Sequence, residues 1–222
     1  MNEAIGQSLP IAVGVMVSPL PIVAVVLMLV SGSARANAVA FVLTWFVAVG
    51  GVALVVALAA GTADDDGAPA SWTGWVKIVL GALLLLLAVR RWQGRPRDGA
   101  QAPTPTWMAA VDTFTPVKAV GLAALLGAVN PKNLLLAVSG GAAIATAAPG
   151  DVRAAVGASV VFAVVASLGV AAPVVVYLAT GDRATGILDD LKGWMVAHNA
   201  AIMAVLLLVI GTKLVGDGLT VV

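Results

Sequence analysis

The sequence predicts an all-α, polytopic membrane protein with six transmembrane helices, arranged as a 3+3 inverted repeat whose first and fourth helices are broken. Three observations predict it. Of 222 residues, 61% are hydrophobic and only 10% are charged, against about a quarter charged in a typical soluble domain. Mean hydropathy is +1.06, and several apolar runs reach the roughly 20 residues that cross a bilayer. Two of these runs, one in each half, are interrupted by proline beside polar residues: Ser18-Pro19-Leu20-Pro21 and Asn130-Pro131-Lys132-Asn133.

The first span is expected from about Ile5 to Val30, with the Ser18–Pro21 interruption inside it. The residues before it carry Glu3 and no Lys or Arg. A cleavable signal peptide begins with a basic region, so this segment is expected to be retained. A short turn from Ser31 to Asn37 contains Arg35. The second span covers about Ala38 to Ala60, followed by a solvated turn with Asp64, Asp65 and Asp66 among glycine and proline. The third covers about Trp72 to Val89 and includes the leucine run Leu83 to Leu87. A polar stretch, Arg90 to Thr115, is rich in arginine and proline. The fourth span, about Val117 to Ala147, holds the second interruption; the fifth, about Ala154 to Thr180, contains Pro173. A charged loop from Gly181 to Gly193 precedes the sixth span, about Trp194 to Val215.

Lysine and arginine orient the chain, because cytoplasmic loops are enriched in both. Arg35, then Arg90, Arg91, Arg95 and Arg97, then Arg183 and Lys192 fall in the first, third and fifth loops. The other side holds Lys77, Arg153, Lys213 and the aspartate triplet. The third loop is therefore expected in the cytoplasm and both termini outside it, in the plasma (inner) membrane. Trp72, Trp75, Trp92 and Trp194 fall at span ends, where amphipathic rings prefer the headgroup region.

The two proline interruptions lie about half the chain apart, each within the first span of its half. Three spans per half reverse the orientation of the second half, and paired broken segments mark the midplane site of inverted-repeat transporters. The expected organisation is one transmembrane domain: residues 1–89 as the first repeat, 90–116 as a cytoplasmic loop and 117–222 as the second repeat.

The candidate site residues follow from cost. A lysine in hydrocarbon costs roughly 3 kcal/mol or more. With the fourth span starting near Lys118, Lys132 lies roughly 21 Å along the helix, close to the bilayer centre. It is read as the only charge deep in the membrane. Lys132 either meets an anionic group in a cavity, helped by amides freed at the breaks, or bonds carbonyls freed by the break and holds the fold. Asn130 and Asn133 either cap the broken helices or line the cavity. Ser18 occupies in the first half the position of Asn130 in the second, and its hydroxyl could face the same cavity. Pro19, Pro21 and Pro131 shape the break. Tyr177 either lines the pathway or packs. His198 is a histidine, a residue type often used to move protons, and Asp112 carries a carboxylate before the fourth span. Both are candidates for proton movement; the plainer readings are a solvated interfacial histidine and a surface pair of Asp112 with Lys118.

There is no phosphate-binding glycine loop, no HExxH, no cysteine and one histidine. An enzyme, a metal site and any cofactor are therefore not expected, and the net charge of +1 argues against a nucleic-acid partner.

Gly121-Leu122 followed by Asn130-Pro131-Lys132 resembles the fourth-helix signature of the LysE superfamily of exporters. Pro105-Thr106-Trp107-Met108, Asp112, Thr115-Pro116, Gly121 and the run Ala128 to Leu134 resemble one branch of it more closely, the mycobacterial glycolipid- or peptidoglycolipid-addressing (GAP, Sap-like) membrane proteins. So do Ser18–Pro21, the segment Lys77 to Trp92, and Leu191-Lys192 with Trp194. The resemblance implies a six-helix inner-membrane protein that moves envelope glycolipids outward on an exporter-like core, working as a homodimer. The amino-acid exporters of the superfamily often have Pro-Gly-Pro in the first helix; here it is Pro19-Leu20-Pro21. The expected function is export of an amphipathic, anionic lipid or glycolipid. The alternatives are a small-solute exporter of the LysE type and a non-transporting accessory subunit of a larger glycolipid export machine.

Overall fold

The computed structural model describes residues 1–29, 34–61, 71–95, 114–220 and 222. Among them every regular element is helical. The α-helices are α1 (Asn2–Met16), α2 (Pro19–Leu29), α3 (Ala34–Gly61), α4 (Ser71–Gln93), α5 (Pro116–Ala124), α6 (Pro131–Ala147), α7 (Val152–Thr180) and α8 (Ala184–Leu219). A π-turn, Leu125–Val129, joins α5 to the break before α6.

Both predicted interruptions are breaks. α1 and α2 meet at 53°, and the α5–π segment meets α6 at 61°. The local chemistry is the same at both. Position 19 and position 131 are prolines that open the next helix, where a missing N–H costs nothing. The same missing N–H ends the preceding helix. Thr115 caps α5 in the same style, with its hydroxyl accepting from the Lys118 amide and Pro116 at the first position.

Three helices are long and apolar enough to cross a membrane: Ala34–Gly61, Val152–Thr180 and Gly186–Leu219. Each bent pair can count as one more span, which gives up to five. The chain is a multi-pass membrane protein. The segment read as the third span is also a helix, α4, and it carries Lys77, Arg90 and Arg91. Several boundaries differ from the sequence reading: α3 begins at Ala34, so Arg35 and Asn37, expected in a turn, are helical. α4 runs on through Arg90 to Gln93, past the expected start of the loop. The charged loop expected from Gly181 to Gly193 is a single 3-10 turn, Gly181–Arg183, after which α8 begins at Ala184. Leu188 and Met195 are buried, and Lys192 pairs with Asp189 at 2.6 Å one turn away. A buried stripe and an i,i+3 pair extend the helix where charge alone suggested solvent.

α3 buries Phe41, Trp45, Val49, Ala53 and Ala57 at four-residue intervals and exposes Leu43, Val47 and Val55 on the opposite side. That is the pattern of a helix with one face on protein and one on lipid. The buried face packs on α5, α6 and α7. Gly141 of α6 permits the contact with α3, and Gly140 permits the contact of α6 with α7. A Cβ at Gly141 would collide with the Ala53 carbonyl of α3, and one at Gly140 would fall on the Phe162 ring of α7. Small residues of this kind let transmembrane helices approach closely.

α4 packs mainly on α8, antiparallel to it. Gly81 and Gly211 face each other, as do Gly74 and Gly218; a Cβ on Gly81 or Gly218 would come within 2.8 Å of the facing carbonyl. The same seam buries Lys77, at 2% exposure, beside the Lys213–Asp217 ion pair of α8. Lys132 is therefore not the only lysine withdrawn into the helical body, as the sequence reading had it. In sequence Lys77, two turns into α4, counts only among the charges of the side opposite the arginine-rich loops.

The loops group at two ends. Asn37 Nδ2 donates to the Phe114 carbonyl at 2.8 Å, and the Gly150 amide donates to the Gly61 carbonyl at 2.9 Å. Met1 lies against Gly157 near the start of α7, and the end of α8 meets the start of α4. Both termini thus lie at the end that carries the α3 and α6 C-termini. The Trp75, Trp92 and Trp194 side chains are exposed, as residues in an interfacial belt would be.

Candidate functional site

The two breaks face each other, and a lysine beside the second satisfies part of what the first leaves open. α1 ends at Val17, whose φ of −86° and ψ of 53° leave the helical region. In a continuous helix the Gly14 carbonyl would accept from the amide of residue 18 and the Val15 carbonyl from residue 19, but residue 19 is a proline. Instead Lys132 Nζ donates to the Gly14 carbonyl at 2.8 Å, and the Ser18 hydroxyl lies 2.5 Å from the Val15 carbonyl. Lys132 Nζ also donates to Ser18 Oγ at 2.6 Å.

The second break is built the same way. In the π-turn the Asn130 amide donates to the Leu125 carbonyl at 2.8 Å, which leaves the Leu126 carbonyl without an amide. Asn133 Nδ2 takes it, at 2.8 Å. Asn133 Oδ1 lies 3.0 Å from Ser18 Oγ, a second acceptor for that hydroxyl proton. Asn130 Oδ1 caps α6 by accepting from the Lys132 amide at 3.1 Å. Ser18, Lys132 and Asn133 are all buried, Lys132 to 4% exposure. Buried polar groups persist when every member is satisfied, and here the network spans 114 residues of chain between Ser18 and Lys132. The wall behind it is α7, where Gly169 admits the Met16 carbonyl of the first break; a Cβ there would overlap that oxygen.

A small cleft opens on this network, with a volume of about 20 Å³, room for about one water. Ser18, Pro19 and Pro21 line it from the first break, and Asn130, Lys132 and Asn133 from the second. The arrangement thus gathers six of the predicted residues in one place, and Pro131 starts the helix that presents three of them. Lys132 bonds a carbonyl freed by a break, as one of its two readings held, but the carbonyl belongs to the other half of the chain.

Two predicted residues lie elsewhere. Tyr177 is half-buried on α7 and packs against the core, outside the cleft. His198 is exposed on α8; its ring stacks on Trp194 at 4.9 Å and its Nδ1 lies 2.9 Å from the Trp194 carbonyl. Asp112 lies outside the described residues, as do Pro105 to Met108. Among the described residues no group of His, Cys, Asp or Glu is arranged to hold a metal.

Three lining residues were not anticipated: Arg91 of α4, and Asn199 and Met203 of α8. Arg91 read as one of a set of loop arginines, and its place beside Lys132 depends on how α4 seats against α8. Asn199 stood next to the more conspicuous His198. Its only sequence signal was an amide one turn inside an apolar span.

Neither the curated proteins nor the solved structures contain a match to this chain. One family model does match it, that of Sap, the sulfolipid-1-addressing protein, over residues 9–220. The match takes in both helix breaks, the cleft between them and the α4–α8 pair, and the chain belongs to the Sap, sulfolipid-1-addressing, protein family.

Proposed function

We propose that this protein is a six-span transporter of the plasma membrane, not an enzyme, that moves an amphipathic, anionic lipid or glycolipid toward the cell envelope. The observation that carries this reading is Lys132, a buried cation held at the meeting point of two broken helices. Intramembrane ionisable residues cluster on substrate and ion pathways, and discontinuous helices at matching places in two halves form transport sites. The family description names addressing of a sulfolipid, which agrees with an anionic cargo.

The sixth span in this reading is α4, which runs along α8 through the glycine seam. The helix contacts support an inverted repeat on a LysE-like plan. With α1 matched to α5, α2 to α6, α3 to α7 and α4 to α8, the pairs α3–α7 and α4–α8 map onto themselves, and α1–α7 maps onto α3–α5; all four are close packings. The arginines of the first, third and fifth loops favour a cytoplasmic location for that end, with the termini outside. A reporter fused after Val222 is expected to be active only outside the cytoplasm.

Lys132→Ala tests the site. The expected result is lost export of envelope lipid with normal membrane insertion; export at the normal rate would remove Lys132 as a cargo contact. A second reading, an accessory subunit without transport activity of its own, is favoured by one observation: both acceptors of the Lys132 ammonium are protein groups. Purified protein in liposomes separates the two. Movement of lipid headgroups without other proteins supports the transporter, and movement only with partners supports the subunit.

A further inference from the structure

The cleft between the breaks is walled on its remaining side by the α4–α8 pair, and the residues this pair contributes differ in kind from the rest. Arg91 of α4, an exposed residue, lines the same cleft as Lys132, near enough for the two like charges to act on each other. Among the described residues no carboxylate lines the cleft. Among the described residues Arg91 has no ion-pair partner, and no hydrogen bond is made by its guanidinium or by the Asn199 amide. Two cations brought to one cleft without a counter-charge destabilise the arrangement unless an anion joins them.

We propose that Arg91 and Lys132, with Asn199, form a two-cation clamp for a tetrahedral oxyanion, a sulfate or phosphate ester. The inference rests on the transporter reading for its cargo and deepens it by naming the second cation and the group recognised. Three helices present the three donors: α4 the guanidinium, α6 the ammonium and α8 the amide. A tetrahedral oxyanion offers oxygens in several directions, whereas a carboxylate offers two in one plane. The arginine fork can take two of these oxygens and the ammonium a third. The cleft, at about 20 Å³, holds about one water, so the anion enters only when Lys132 releases the Gly14 carbonyl or the α4–α8 pair moves out. Binding is thereby coupled to the bond that joins the two breaks. Asn133, held on the Leu126 carbonyl at 2.8 Å, stays with the protein.

The test uses the full chain in detergent. Binding of 3-O-sulfogalactosylceramide is compared with that of uncharged galactosylceramide, which differs only in the sulfate. Sodium sulfate is compared with sodium chloride at equal ionic strength. The wild type is expected to prefer the sulfated lipid by about ten-fold or more, the scale of one hydrogen-bonded charge. Arg91→Gln abolishes the preference, Arg91→Lys retains part of it, and Asn199→Ala weakens it. Gel filtration confirms that each variant is folded; should Arg91→Gln fail, Arg91→Lys and Asn199→Ala carry the comparison. A sulfate effect with the free salt as well as the lipid identifies a clamp for the anion itself; an effect with the lipid alone identifies a headgroup clamp. Equal binding of the two lipids by the wild type, or an unchanged preference in Arg91→Gln, overturns the clamp. If that happens while export still requires Lys132, the transporter reading stands without it. If the preference depends on Arg91 but the purified protein in liposomes moves no lipid headgroup without partners, the clamp stands and the transporter reading does not.

Discussion

Lys132 donates to the Gly14 carbonyl at 2.8 Å, so the second half of this chain completes the backbone of the first where it is broken. A proline break is a local event, but its unsatisfied carbonyls are costly in a medium that cannot hydrogen-bond to them. The first break is satisfied in part by its own serine and in part by a lysine from the second break. The two interruptions are therefore one structural unit.

Ser18 is the centre of that unit, since its hydroxyl meets the Val15 carbonyl, Asn133 and Lys132. Ser18→Ala removes all three contacts without a change of volume that matters. The expected loss is about 1–3 kcal/mol, the cost of leaving a buried acceptor unpaired. Thermal unfolding of the purified protein in detergent measures it, and an unchanged midpoint would show that the Val15 carbonyl finds another donor.

Gly169→Ala adds one carbon that overlaps the Met16 carbonyl. This contact is with backbone, which cannot swing aside, so about 1–3 kcal/mol of destabilisation is expected. Gly6→Ala is the control: nothing lies within 4 Å of the added carbon, and the exposed helical site should be neutral or gain up to about 1 kcal/mol. The same unfolding measurement, made on both variants, checks the contrast.

Pro131→Ala restores an amide at the second break. A straighter α5–α6 segment is expected, with longer distances between spin labels placed at Val117 and Thr146, and slower export. Distances equal to the wild type would mean that the 61° bend is held by packing against α3 and α7 and not by the missing N–H.

The membrane class and the positions of both breaks were legible in the sequence, because each rests on a local rule. Apolar length reports a span, and proline reports a lost amide and a clash one turn back. Lys132, Asn130, Asn133 and Ser18 stood out because polar groups are expensive where they lie. Charge was less reliable: Asp189, Asp190 and Lys192 suggested a loop at the place where α8 is already helical, since local polarity does not reveal a buried stripe on the other face.

By itself, then, the sequence determined the helices, the two interruptions and which polar groups needed partners, since these follow from covalent structure and from solvent. Only the tertiary structure decided who the partners were. That Lys132 reaches Gly14, that Lys77 is buried against α8, and that Arg91 and Asn199 wall the cleft depend on how distant helices seat together. Glycine seams set that seating through close approach of backbones, and the specificity lies in the fit between two surfaces, which no single segment encodes.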